Sequence, residues 1–119
     1  MFNNVTIIGS GLMGHGIALK FAQFGFGVTV FDPNEGSLNT LFDRINRSLS
    51  QMSVPASKIK KILSSITKSS KLLESVQTAE LIIEAVPEKL ELKQKIFREI
   101  ETLSNSKCIF ASNTSVIPI

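Results

Sequence analysis

The sequence has no tryptophan, no tyrosine, one cysteine and one histidine in its 119 residues. A lone cysteine excludes an intramolecular disulfide, and Cys108 with the single His15 falls short of the ligand set a zinc site needs, so no metal is expected. Cys108 reads as a buried apolar filler, and a reducing, cytoplasmic compartment is the expectation. No apolar run approaches the roughly 18–20 residues of a membrane span, so no membrane partner is expected. Met1 stands just ahead of the first apolar run, at Val5, which leaves no room for a targeting peptide. The aromatic fraction is 7%, all of it Phe, and no aromatic interleaves the basic residues, which argues against nucleic acid as a partner.

Apolar residues make up 43% of the chain and charged residues 19%, the balance of a folded domain rather than a disordered segment. A chain of this size forms one domain and buries roughly two-thirds of the surface its unfolded form exposes. The net charge is only +3, but it is unevenly spread. Segment 44–71 carries Arg44, Arg47, Lys58, Lys60, Lys61, Lys68 and Lys71 without an acid, whereas 72–101 carries seven Glu against Lys89, Lys93, Lys95 and Arg98. The basic stretch either steers an anionic partner or forms a solvated helix face.

Val5–Ile8, Val28–Phe31, Cys108–Ala111 and Leu81–Val86, the last broken by Glu84, are short apolar runs and read as buried strands. Between them, Leu12, Met13, Ile17, Phe21 and Phe24 recur with helical spacing, and Gly25 ends the pattern. Leu38, Leu41, Phe42, Ile45, Leu49 and Met52 predict a helix over 36–52. Pro55 opens another, with Ile59, Ile62, Leu63 and Ile66 inward, and Leu92, Ile96, Ile100 and Leu103 predict a helix over 88–103. Continuous apolar strands alternating with helices give an α/β class with a covered, doubly wound parallel sheet.

Gly9-Ser10-Gly11-Leu12-Met13-Gly14 fits G-x-G-x-x-G, follows a strand and opens a helix. Gly9 then serves the tight turn, Gly11 the approach of a pyrophosphate, and Gly14 close helix–strand packing, while the helix N–H groups hold the phosphates. Without a ligand, the same glycines serve only turn and packing. Asp32 ends the second strand, 18 residues beyond Gly14. A carboxylate there accepts from a ribose 2′-hydroxyl and repels a 2′-phosphate, favouring NAD; the alternative is a turn-forming Asp before Pro33. Arg44 lies too far along the chain to receive a 2′-phosphate. His15 sits in the first turn of the helix, at the phosphate end, and is expected to pack rather than to act as a base.

Val5 to Ala18, then Glu84-Ala85-Val86-Pro87-Glu88, Lys93 and Ser112-Asn113-Thr114-Ser115, resemble the 3-hydroxyacyl-CoA dehydrogenase family over essentially the whole chain. The resemblance implies a Rossmann-type NAD-binding domain over 1–119 and oxidation of an L-3-hydroxyacyl-CoA by NAD. It implies that Gly9, Ser10, Gly11, Leu12, Met13, Gly14 and Asp32 hold the cofactor and that Glu88 and Lys93 contact it. Ser115 would bond the substrate oxygen near the nicotinamide, and Ser48 would contact CoA. Apart from the family, Ser115 also suits a cap or turn, Glu88 a helix N-terminal charge, and Lys93 a surface cation.

In the family, a catalytic His oriented by a Glu follows S-N-T-S within an H-x-x-N-P motif, and a helical domain dimerises the enzyme. This sequence runs to Ile119 without that motif, so the expectation is a sheet cut before its last strands and no activity by itself. The rival expectation is a short, non-catalytic NAD-binding or crystallin-like relative.

Overall fold

The computed structural model describes residues 3–85, 95, 98–99 and 109–112. The chain runs β1 (Asn4–Ile8), α1 (Leu12–Gln23), β2 (Gly27–Phe31), α2 (Glu35–Asn39), α3 (Leu41–Gln51), α4 (Ala56–Ser64), β3 (Ile66–Ser69), α5 (Leu72–Val76), β4 (Leu81–Glu84) and β5 (Ile109–Ser112). The strands form one sheet in the order β3-β2-β1-β4-β5, and every neighbouring pair is parallel. Strand side chains alternate between faces, so Val5 and Ile7 enter the core under α1, α3 and α4, while Ile8 joins Phe31, Val76, Ala79 and Ile82 on the other side. Thr6 is buried, and its hydroxyl donates to the Ser75 carbonyl, tying β1 to α5.

α1 closes in a Schellman turn. Phe26 N–H donates to Phe21 O (3.1 Å), Gly25 N–H to Ala22 O (3.1 Å), and the Phe21 and Phe26 rings meet edge to face at 5.3 Å. Its inward face is made of Gly14, His15, Ala18, Leu19 and Ala22, whereas Leu12, Met13 and Phe24 stand exposed. The apolar spacing alone put Met13 and Phe24 inside. At Gly14 the helix passes so close to Gly9 that no side chain fits there.

Two further expectations are corrected. The helix over 36–52 is two helices that meet at Thr40, with Leu41, Ile45 and Leu49 fully buried, Phe42 partly buried against the core and Met52 exposed. Truncating Ile45 or Leu49 to Ala costs about 2–5 kcal/mol. Ile66 does not extend α4; it begins β3, whose pairing with β2 overrides the helical spacing. α5 has no counterpart in the periodicity. Of the helix read over 88–103, only Lys95, Arg98 and Glu99 are described, all helical; Val86 and Cys108 lie outside the described residues.

Candidate functional site

The chain winds outward from β1 to β3 and then returns to β4 on the other side of β1, so the strand order reverses between β1 and β4. A parallel sheet binds its ligand beyond the strand C-termini at such a point. Gly9 to Gly14 occupy that position, directly after β1 and at the start of α1.

Two of the glycines are needed by the protein itself. Gly9 has φ +110°, and its N–H donates to Phe31 O at 2.7 Å, which binds the loop to the end of β2. A Cβ on Gly14 would stand 1.9 Å from Gly9 O, so α1 crosses the loop at a distance only glycine permits. Gly11 differs. It is exposed, and a Cβ there would meet nothing within 4 Å. Among the described residues nothing demands a glycine at that position; a ligand lying on the loop would. Leu12 and Met13 flank this open side with exposed side chains, and the positive end of the twelve-residue α1 faces it.

Asp32 and Ser10 form the wall beside the loop. Asp32 Oδ2 accepts from Ser10 N–H (3.0 Å) and Ser10 Oγ (2.7 Å), and Oδ1 accepts from Asn34 N–H (2.9 Å). Ser10 is fully buried, so its N–H and hydroxyl orient Asp32 and do not face the loop's open side, in contrast to the expected cofactor contact. A carboxylate offers about four acceptor positions, so Oδ1 retains one for a diol.

His15 is buried, with Nδ1 3.1 Å from Gly11 O and Nε2 3.3 Å from Ser48 Oγ. A carbonyl only accepts, so Nδ1 donates to Gly11 O, and Nε2 pairs with the Ser48 hydroxyl. His15 therefore clamps the loop to α3 through Ser48.

Of the seven cations in 44–71, six are exposed; Lys68 lies 4.6 Å over the Phe42 ring. Arg44 is half buried and reaches the glycine loop: Nη1 donates to Gly11 O (3.5 Å), Nη2 to Ser37 O (2.9 Å) and Nε to Thr40 Oγ1 (3.2 Å). Its expected remoteness from the site is thus overturned, because α3 packs against α1. Glu84 ends β4 fully buried, in register with Ile8 and Ser112. Glu88, Lys93 and Ser115 lie outside the described residues.

The family model for the 3-hydroxyacyl-CoA dehydrogenase NAD binding domain matches residues 4–119. A probable 3-hydroxyacyl-CoA dehydrogenase of Caenorhabditis elegans is 35% identical over 122 residues, which cover 95% of this chain and 40% of the relative. A lambda-crystallin homolog of Mus musculus is 32% identical, over 95% of this chain and 37% of its own. The crystal structure of FadB2 from M. tuberculosis superposes with a TM-score of 0.92 at 35% identity, over 99% of this chain and 43% of that one. The chain thus spans about two-fifths of the length of these relatives. The side-chain-free cradle at Gly11, the acceptor on Asp32 and the start of α1 suit the pyrophosphate and ribose of NAD, and the chain belongs to the 3-hydroxyacyl-CoA dehydrogenase family, as its NAD-binding domain.

Proposed function

We propose that this domain holds NAD for the interconversion of L-3-hydroxyacyl-CoA and 3-oxoacyl-CoA. The observation that carries the proposal is the open space at Gly11 beside an Asp32 whose carboxylate is already oriented by Ser10 and Asn34. Gly11 and the first turn of α1 take the pyrophosphate, and Asp32 Oδ1 takes the adenosine ribose. When bound, NAD supplies the hydride acceptor. Ser115, Glu88 and Lys93 are assigned by resemblance: Ser115 to the substrate oxygen, the other two to the cofactor. Catalysis in the family further draws on the His and Glu of its H-x-x-N-P region, and by the same resemblance a full-length relative is a homodimer. Binding without turnover is the second reading, favoured by the lambda-crystallin homolog among the relatives.

The substrate half is tested on α4. Lys58, Lys60 and Lys61 are exposed there, and Ser48 lies on the neighbouring α3. Reversing both charges with Lys60→Glu and Lys61→Glu is expected to weaken CoA binding about threefold to tenfold at low salt and to flatten its salt dependence, measured by calorimetric titration. An unchanged affinity at low salt would make the basic stretch a solvated face.

A further inference from the structure

Asp32 and Arg44 stand on opposite sides of a closed ring of contacts. Ser10 N–H donates to Asp32 Oδ2 (3.0 Å), the chain continues to Gly11, and Arg44 Nη1 donates to Gly11 O (3.5 Å). Arg44 Nη2 donates to Ser37 O (2.9 Å), Ser37 N–H to Asn34 Oδ1 (3.2 Å), and Asn34 N–H to Asp32 Oδ1 (2.9 Å), which returns to the carboxylate. The ring joins the glycine loop to the turn after β2, the two walls between which an adenosine ribose on Asp32 would sit. Among the described residues the two charges form no direct ion pair. A guanidinium has five N–H donors. Three are spent on Gly11, Ser37 and Thr40, which leaves two, and a permanent positive charge, at the ring.

This arrangement bears on which dinucleotide is accepted. Asp32 alone would repel a 2′-phosphate by like charge, whereas a planar guanidinium with unspent donors pairs with phosphate through charge-assisted bonds. The contacts of Arg44 with Ser37 O and Thr40 Oγ1 fasten it to the wall that Asn34 links to Asp32, while its bond to Gly11 O holds it against the glycine loop. We propose that Arg44 is a specificity-determining residue that contacts the 2′-phosphate of NADP(H), so that the preference for NAD(H) set by Asp32 is kept but narrowed. The proposal rests on the NAD-binding reading of the loop.

The test is a fluorescence titration of the 119-residue chain and its variants with NADH and NADPH, supported by competition with 5′-AMP and 2′,5′-ADP, which differ only by the 2′-phosphate. Arg44→Ala is expected to raise the Kd for NADPH about tenfold while NADH changes by less than about twofold. Arg44→Lys, which keeps the charge but loses the fork, should fall between, and NADPH affinity in the native chain should fall more steeply with salt than NADH affinity. A variant that is partly unfolded loses both ligands alike, so the ratio of the two constants isolates the contact. An unchanged ratio in Arg44→Ala would overturn the proposal, and so would a loss larger for NADH, which would move Arg44 to the pyrophosphate. Failure of the native chain to bind NADH would instead overturn the underlying cofactor reading.

Discussion

Gly11→Val is expected to leave a folded protein that no longer binds the dinucleotide. Gly11 is the N-cap of α1 at φ −72° and ψ −159°, a conformation open to any L-residue, and its Cβ direction meets no atom within 4 Å. Replacing a tolerated glycine cap by valine costs about 1 kcal/mol of stability. The isopropyl group would fill the position the pyrophosphate needs, so NADH and NADPH affinity should both drop by more than about a hundredfold, the loss of several charge-assisted bonds together. Gly14→Ala is the counterpart. Its methyl group would press to 1.9 Å from Gly9 O, and neither backbone segment can retreat without breaking the bond from Gly9 N–H to Phe31 O. That substitution should cost about 3 kcal/mol or more and lower Tm by about 10 °C or more in a thermal melt. A native Tm for Gly14→Ala, or NADH binding retained by a folded Gly11→Val, would contradict the division of the glycines into one demanded by the fold and one demanded by the ligand.

The second large effect is an absence of turnover in the 119-residue chain by itself. General-base catalysis contributes about 10²–10⁴-fold and needs a base within hydrogen-bonding reach of the substrate hydroxyl. The single His15 is buried at the glycine loop, with both ring nitrogens engaged by Gly11 O and Ser48 Oγ. It therefore stands at the phosphate end of the cofactor and has no open nitrogen to offer a substrate. A serine hydroxyl in the role proposed for Ser115 would be too weak a base alone. Acetoacetyl-CoA reduction, followed by NADH absorbance, should show no rate above background for the chain and a clear rate for a polypeptide extended through an H-x-x-N-P motif and its helical domain. Turnover by the 119-residue chain that survives His15→Ala would refute the argument.

The sheet was legible because its central strands are continuous apolar runs, and β1, β2 and β4 need both faces covered. The glycine loop was legible because its pattern lies between a strand and a helix. What escaped was set by tertiary contact. β3 exists through its pairing with β2, although two of its four residues are exposed. The break at Thr40 is invisible to a periodicity that continues from Leu38 through Leu41 to Ile45. Ser10 read as a cofactor contact because it lies inside the motif, yet its buried hydroxyl serves Asp32. Arg44 read as remote because spacing along the chain says nothing of the packing of α3 against α1.

The central claim is tested most directly by titrating the chain with NADH and, separately, with NADPH. With no Trp or Tyr in the sequence, protein fluorescence adds little background to the nicotinamide signal. The account predicts saturable NADH binding with a Kd between about 1 μM and 1 mM, tighter than that for NADPH, and its loss in Gly11→Val. No saturation with NADH up to millimolar concentration, or NADPH binding as tight as NADH, would contradict it.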